Sequence, residues 1–421
     1  MAREGHLCVE LTPQLDPRFL EGASLLPTSL FVDYLSREKN RIYLRRNWEC
    51  EYRFLTHMKR FKSQLPSYTL PLTWLEAELD KEQLNFEQKR AILKAAKGSL
   101  TLITGGPGTG KTYTAATLIR LFSEGGLKEI AVAAPTGKAT ANLRASLGLI
   151  AEKCTIKTLH SLLKSEWLYA DLILVDESSM IDAELMAKLF SAVKPGARLV
   201  LLGDKDQLPP IESGNFFADL AQDQHLVSEL KTCLRIELQE IIDLASQVKN
   251  GIPITAHPLP NLKELVGQIV HERIDVLTPL RKGPYGVDHL NKLLYVEHQK
   301  RGAKEIPIII TVNDAYLELF NGDTGLLNQE ERIAYFSDGR QFAEHLLPHY
   351  EYAYVLSVHK SQGSEYEKVL ILLPEGSEVF GREMLYTAIT RAKKQMTLLA
   401  HEGVVEKVVK GHYTRFSGVV A

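Results

Sequence analysis

The sequence predicts an α/β protein with parallel sheets, organised as two such units in series. Three observations predict this. The stretch Leu100-Thr-Leu-Ile followed by Thr104 and the string GGPGTGKT at 105–112 reads strand, glycine-rich loop, helix. Apolar runs of strand length, at 130–134, 172–175 and 198–202, each end in a polar tip, the pattern of strands buried on both faces. Past about residue 245 the same alternation starts again, with strands predicted at 276–279, 306–312, 354–358, 368–373 and 396–400. A chain of 421 residues has room for roughly two to four domains.

Composition narrows the function. A hydrophobic fraction of 45% and a charged fraction of 24% are those of an ordinary globular protein. A net charge of −2 excludes a generally basic nucleic-acid binder, so any polynucleotide contact must come from a local channel. Cys8, Cys50, Cys154 and Cys233 are widely spaced, which speaks against a zinc site or a disulfide framework and for a reducing, cytoplasmic setting. No signal peptide is read at the N-terminus, and the longest apolar runs are too short to span a bilayer.

Taken in order, residues 1–80 differ in character from the rest and read as a small helical domain. Between 37 and 62 there are nine Lys/Arg against three Glu, with Tyr34 just ahead and Tyr43, Trp48, Tyr52, Phe54 and Phe61 interleaved. A docking surface for nucleic acid or a partner fits this pattern, and so does a helical unit with aromatics inside and a solvated basic face. Pro66 and Pro71 then interrupt it and mark a linker. A helix opens near Leu84 and carries Gln88, whose amide has the donor and the acceptor that the edge of adenine requires; an exposed helical glutamine reads the same way.

The loop that follows fits G-x-x-x-x-G-K-[ST]. The loop Gly105, Gly106, Pro107, Gly108, Thr109 and Gly110 would curl round phosphate oxygens and offer them its backbone N–H groups, which Pro107 alone lacks, a shape that glycine tolerates best. Lys111 supplies a cation for the outer phosphates and Thr112 a hydroxyl for Mg²⁺, at the N-terminus of a helix that favours anions. Ala115, Leu118, Ile119 and Phe122 fall on one face of that helix. The context therefore predicts a nucleoside triphosphate, ATP when the adenine reading of Gln88 is included.

The strand at 130–134 ends in Pro135, Thr136, Gly137 and Lys138, where parallel sheets place ligand loops; Thr158 and His160 sit in a later turn. On spacing alone these are ordinary loop residues. Asp176 and Glu177 cap the strand at 172–175. A strand-end Asp in phosphate-loop enzymes holds Mg²⁺, and the next carboxylate can polarise an attacking water, so Asp176 is assigned the metal and Glu177 the general base. Gln207, after the strand at 198–202, stands where a γ-phosphate can be sensed. Arg235 is an isolated arginine after Leu230. In the second unit, residues 317–350 carry Asn-Gly and Asp-Gly turn signals and read as a small β insertion. Arg391, in the polar tip at 385–392, has the reach of an arginine finger.

The ordered strings GGPGTGKT, APTGKA, TLH, VDESSMID, GDKDQLPP, NGDTG, VHKSQGSE and YTAITRA together resemble a superfamily 1 DNA helicase, and specifically the RecD family, the α subunit of exodeoxyribonuclease V. The resemblance covers about residues 84–400. It implies two RecA-like motor domains, at 81–245 and 246–421, with an SH3-like insertion in the second and an N-terminal domain that docks onto RecB- and RecC-like partners. It implies ATP and Mg²⁺ as cofactors and a single strand or duplex end of DNA as the track, followed 5′ to 3′ in double-strand break repair and recombination. By the same resemblance Gln88 reads adenine, Gln207 couples the γ-phosphate to the strand, and Arg235 and Arg391 are fingers. Gly363 and Glu365 lie near the nucleotide, while Pro135, Thr136, Thr158, His160, His359 and Lys360 line the strand path. The sequence departs from the family where Leu234 replaces a common tyrosine before Arg235, which removes a surface for stacking the base. It is also shorter than many relatives ahead of Gln88. No acidic cluster outside the ATP site suggests a nuclease, so exonuclease activity would belong to a partner chain. An ATPase that regulates a partner nuclease without unwinding shares the same motifs, as does a phosphate-loop ATPase acting on protein.

Overall fold

The computed structural model describes residues 6–10, 31–32, 35–36, 39–234, 239–272, 274–314, 316–336, 338–412, 417 and 419. Its first elements are short strands: β1 (Cys8–Glu10), β2 (Phe31–Val32), β3 (Leu35–Ser36) and β4 (Lys39–Leu44), with β4 pairing antiparallel to the other three. Helix α1 (Arg45–Ser63) follows directly. Its apolar side does not close a core of its own. Cys50, Phe54, Met58 and Phe61 join the core beneath the first large sheet. Phe54 stacks on Phe216 with centroids 4.1 Å apart and tilts against Phe190 at 4.7 Å. Arg60 donates to the carbonyls of Phe190 (3.0 Å) and Val193 (2.7 Å), and so caps the end of the helix that carries them. Among the described residues, short strands precede this N-terminal helix, and its buried phenylalanines pack into the core beneath the first large sheet. Trp48 and Tyr52 stack on each other instead, Tyr52 being mostly exposed. Tyr34 lies outside the described residues, and the Tyr43 side chain is likewise not described.

Two helices, α2 (Leu72–Lys81) and α3 (Phe86–Lys97), lead into the first large sheet. Its strands are β5 (Leu100–Gly105), β6 (Ile130–Ala134), β7 (Thr155–Thr158), β8 (Leu172–Val175), β9 (Arg198–Gly203) and β10 (Val227–Leu230). They lie in the order β10-β5-β9-β8-β6-β7, all parallel. The connecting helices are α4 (Lys111–Glu124), α5 (Gly137–Leu147), α6 (Leu159–Leu162), α7 (Ala183–Ala192) and α8 (Phe216–Leu220). Alternation along each strand divides the core in two. Leu102, Ala133, Ile173, Val175 and Leu201 face α1 and α7; Ile103, Val132, Leu174 and Leu202 face α3 and α4. The predicted helix face of Ala115, Leu118, Ile119 and Phe122 is fully buried there.

The second unit begins with α9 (Gln239–Lys249), then β11 (His257–Pro258), α10 (Leu262–His271), β12 (Asp275–Thr278) and α11 (Val287–Lys300). A boundary at 245 would cut α9, but Ile241, Ala245 and Val248, one helical face, pack together into the second core, so the helix belongs wholly to that unit. Strand β13 (Glu305–Ile310) departs from expectation more sharply. The sequence reads it as part of the parallel sheet. Instead it lies in an antiparallel sheet made with β14 (Thr324–Asn328), β15 (Ile333–Phe336), β16 (Gln341–Ala343) and β17 (Tyr350–Tyr352), between β14 and β17 in the order β16-β15-β14-β13-β17. The reason is burial on both faces. Ile306, Ile308 and Ile310 line the insertion's own core while Ile309 turns into the core of the main sheet, which gives an uninterrupted apolar run with no alternation to read. The insertion therefore spans from β13 to β17, wider than 317–350.

The main second sheet is completed by β18 (Val355–Ser357), β19 (Tyr366–Leu373) and β20 (Ala392–Ala400), in the parallel order β11-β20-β19-β12-β18. Helices α12 (Gly381–Ile389) and α13 (Val404–Lys410) cover one face with α9, and α10 and α11 cover the other. Strand tips of both sheets meet at a seam. There the Leu208 amide donates to Thr387 Oγ1 (2.8 Å), Gln362 Nε2 donates to the Leu208 carbonyl (3.3 Å), and Asn142 Nδ2 donates to the Gly363 carbonyl (3.3 Å). Among the described residues no helix is long and apolar enough to cross a membrane.

Candidate nucleotide site at the seam between two lobes

The loop from β5 to α4 has the cradle that a phosphate chain needs. Gly108 and Gly110 take left-handed φ angles of 74° and 79°, where a side chain is strained. A Cβ on Gly105 would stand 2.7 Å from Thr109 Oγ1 and 2.8 Å from the Leu230 carbonyl, so the turn closes only on glycine. Thr109 Oγ1 donates to the Gly106 carbonyl at 2.8 Å and tightens the same turn. Lys111 Nζ lies across the loop and donates to the carbonyls of Gly105 (2.6 Å) and Gly106 (3.0 Å). Thr112 stands beside it in the first turn of α4.

Behind the loop, Asn85 and Gln88 form a reciprocal capping box on α3. The Gln88 amide donates to Asn85 Oδ1 (2.9 Å), and Gln88 Oε1 accepts from the Asn85 amide (3.0 Å). Gln88 Nε2 then donates to the Thr109 carbonyl at 3.2 Å. The side chain is fully buried. In this arrangement both ends of its amide are engaged, so Gln88 braces the loop from behind rather than presenting a free edge to a base. Leu234 is tied to the same place: its amide donates to the Gly108 carbonyl at 2.9 Å, and its Cδ1 would lie 3.3 Å from a Cβ on Gly110. Glu87 holds that segment by accepting from the amides of Lys231 (2.7 Å) and Thr232 (3.0 Å). Arg235 lies outside the described residues.

The acids at the tip of β8 are closely bound to one another. Asp176 Oδ1 accepts the Glu177 amide at 2.8 Å. Burial first, and then the Glu177 carboxylate, push Asp176 up to about 6. Glu177 holds a left-handed φ of 50°, unusual for a residue with a side chain and a strain of about 1–3 kcal/mol. A buried acid beside a second acid is what a divalent cation relieves. Among the described residues no group of three acidic, histidine or cysteine side chains gathers, so the fit is to an ion held by one carboxylate, one hydroxyl and phosphate oxygens, as Mg²⁺ commonly is. Asp176 and Thr112 are the residues with those groups.

Gln207 follows β9 and is nearly buried, with Nε2 3.4 Å from Asp204 Oδ2 and its Oε1 buried without a hydrogen-bond partner. The same Asp204 oxygen accepts the hydroxyl of Tyr386 from the other lobe at 2.8 Å. Sequence reading passed over both Asp204 and Tyr386, although each lies within a quoted string; nothing in the spacing says that two strings 182 residues apart touch.

Other predicted residues distribute less tidily. Arg391 is buried and turned into its own lobe, donating to the carbonyls of Thr387 (3.1 Å) and Ser364 (3.1 Å) and to Thr390 Oγ1 (3.4 Å). Gly363 takes a left-handed φ of 71° at the seam. Glu365 lies near Lys393, 3.6 Å away. Thr136, two residues past β6, and Thr158, the last residue of the adjacent β7, act as N-caps, accepting from the amides of Ala139 (3.2 Å) and Ser161 (3.3 Å). Pro135 is half-buried beside Thr136, and His160 is exposed. Lys360 pairs with Glu351 of the insertion at 2.9 Å, and His359 is placed edge-on to Phe380. Phe320, also from the insertion, sits so close to Gly137 that any Cβ there would strike its ring at 2.3 Å.

This geometry can now be set beside known proteins. Residues 83–264 match the model of an AAA domain, and residues 352–399 that of a UvrD-like helicase C-terminal domain. Over 90% of this chain and 81% of the relative, the sequence is 32% identical to the RecBCD enzyme subunit RecD of Mycolicibacterium smegmatis. The chain belongs to the RecD family. RecD of Haemophilus influenzae is 29% identical over 90% of the chain and 79% of its own length. The ATP-dependent RecD2 DNA helicase of Deinococcus radiodurans is 33% identical over 76% of the chain, which spans 49% of that longer protein. In fold, the chain is similar to Bacteroides Pif1 bound to single-stranded DNA, with a TM-score of 0.51, 17% identity and coverage of 79% of this chain and 95% of that one. Two units built on parallel sheets, as the sequence predicts, are the architecture of this chain.

Proposed function

We propose that this chain is an ATP-dependent DNA helicase motor and acts as the RecD-like subunit of an exodeoxyribonuclease V assembly, moving 5′ to 3′ along a single strand in break repair and recombination in the cytoplasm. The observation that carries the reading is the seam. The phosphate loop, Asp176, Glu177 and Gln207 sit on one lobe, and the other lobe touches that lobe beside them, Tyr386 bonding Asp204 and Thr387 accepting from the Leu208 amide, the residues on either side of Gln207 in the chain. A triphosphate held in that loop would be felt by both lobes at once, which is the condition for turning hydrolysis into relative motion.

Within this reading Lys111 and the loop amides bind phosphates, Asp176 and Thr112 hold Mg²⁺, and Glu177 takes a proton from the attacking water. The metal, when bound, supplies positive charge to the phosphate oxygens on which charge builds. Gln207 senses the terminal phosphate, and Arg391 completes the charge once released from Ser364. Arg235 is assigned the second finger from its motif alone. Gly363 and Glu365 flank the nucleotide. Gln88 and Leu234 border the base, with Gln88 acting chiefly as a brace. Pro135, Thr136, Thr158, His160, His359 and Lys360 border the strand, and Lys360 must exchange Glu351 for phosphate there. Contacts of this kind grip the backbone, so binding is largely independent of sequence and weakened by salt. RecB- and RecC-like chains are the proposed partners.

The test is ATP hydrolysis by the purified chain with and without a single strand, followed by strand displacement on duplexes with a 5′ or a 3′ tail. Stimulation by the strand and displacement from the 5′ tail are expected. ATPase indifferent to DNA would reject the motor. Stimulation without displacement, alone and with partners, would leave the regulatory ATPase in its place.

A further inference from the structure

We infer that Tyr386 and Asp204 form the positioning contact through which occupancy of the phosphate loop sets the placement of helix α12, and with it Arg391. This rests on the motor reading and deepens it: that reading uses Tyr386 only as a point where the lobes meet, and gives Asp204 no part. Three groups converge on the Asp204 carboxylate, and two more meet the phenol that binds it. Asp204 Oδ2 accepts the Tyr386 hydroxyl at 2.8 Å and lies 3.4 Å from Nε2 of Gln207, the residue placed to sense the terminal phosphate. The Tyr386 hydroxyl also lies against the loop itself, 3.1 Å from where a Cβ on Gly106 would be. Burial pushes the Asp204 carboxyl up, and the positive charge of Lys111 is the main opposing influence. Arg391 in turn is close enough to act electrostatically on the Tyr386 phenol.

The arrangement has a direction. With the loop carbonyls as its acceptors, the Lys111 ammonium lies back on Gly105 and Gly106. Phosphate oxygens are stronger acceptors and would draw it outward, which removes favourable charge from Asp204. Gln207 has an unpartnered buried oxygen and an amide that can turn from Asp204 toward a new acceptor. Both changes alter what Asp204 offers the phenol. Burial holds that phenol protonated, so it remains a donor throughout. Tyr386 is on α12, and Arg391, just past the end of the helix, is held by Thr387 of the same helix. A shift of α12 therefore carries the guanidinium with it and loosens its bond to Ser364. Tyr386 does not touch the reacting atoms in this account; it places the residue that does.

Hydrogen–deuterium exchange on the full chain tests this, with a non-hydrolysable ATP analogue against ADP. In the unaltered protein, exchange over residues 381–391 should differ between the two nucleotides. In Tyr386→Phe that difference should vanish, while nucleotide-dependent protection of residues 105–112 and the nucleotide Kd stay within about twofold. Asp204→Asn, which keeps the shape but removes the charge that answers Lys111, should also flatten the response over 381–391. A merely structural tyrosine would change exchange equally in both nucleotide states. If Tyr386→Phe keeps the full difference, or if the unaltered protein shows none, the inference falls. DNA-stimulated ATPase of the unaltered protein, run alongside, reports on the motor reading separately: it can succeed while the exchange result overturns the contact, or fail while the contact stands.

Discussion

The two lobes hold their chemistry by different means. In the first, the functional groups are set by backbone within a few residues. Left-handed glycines shape the loop, the adjacent Glu177 amide pins Asp176, and a capping box fixes Gln88. In the second, Arg391 is set by tertiary packing, its guanidinium spread over three oxygens of its own lobe, and Lys360 is held by a carboxylate from an inserted sheet. The first lobe is a preformed receptacle. In the proposed motor, the second is a set of side chains that must exchange partners before they act. On that proposal binding belongs to the first lobe, and the conversion of binding into turnover belongs to both.

Substitutions can break that contrast. The largest effect is expected from Lys111→Ala, which removes the cation of the receptacle: nucleotide binding and DNA-stimulated ATPase should both disappear, as read by titration with a fluorescent analogue and by phosphate release. Glu177→Gln and Arg391→Ala come next and sharpen the comparison. Each should lower kcat, by about 10²–10⁴ for a general base and about 10³ or more for an arginine finger, with nucleotide Kd little changed. They should differ in melting temperature. Arg391→Ala abandons buried carbonyls of Ser364 and Thr387 and should melt lower, whereas Glu177→Gln should not. Equal loss of nucleotide binding in Glu177→Gln and Lys111→Ala would undo the division of labour.

A fourth substitution addresses stability alone. Phe54→Ala should destabilise the first lobe by about 3–5 kcal/mol, because Phe54 is fully buried between Phe190 and Phe216. Protein that remains folded should bind nucleotide normally. Denaturant unfolding that left the first lobe's transition unmoved would restore a separate N-terminal domain. The smallest effect concerns pH. Burial pushes Asp219, which accepts Ser417 Oγ at 2.7 Å, up to about 6 from an ordinary 3.8. An acid raised by folding is penalised when charged, so the penalty is absent below about pH 4, grows between 4 and 6, and is complete above. Asp219→Asn should therefore gain stability, of order 1 kcal/mol, at pH 7 to 8 and lose that advantage as pH falls to 4. A gain that persisted at pH 4 would contradict the burial account.

The same contrast explains what the sequence could tell. The loop at 105–112, the paired acids at 176 and 177 and nine of the strands were legible because each is local: a glycine pattern, a short apolar run, a polar tip. The place of β13 was not, since a strand buried on both faces carries no period to assign it to a sheet. Nor was the docking of Phe54 and Phe61 onto Phe190, because an amphipathic helix announces that it buries a face without naming what covers it. Gln88 was noticed for its amide, and its capping role was visible too in the Asn85-x-x-Gln88 spacing. The contact of Asp204 with Tyr386 was beyond reach, as no pattern along one chain reports a hydrogen bond between its lobes.

The central claim is that one triphosphate is shared by two lobes, so that splitting it changes their hold on a polynucleotide. Fluorescence anisotropy of a labelled single strand, titrated with the Glu177→Gln protein in ATP and with the unaltered protein in ADP, measures that hold directly. Affinities that differ by about fivefold or more between the two nucleotide states are predicted. Identical affinities, with nucleotide shown to be bound in both, would contradict the account.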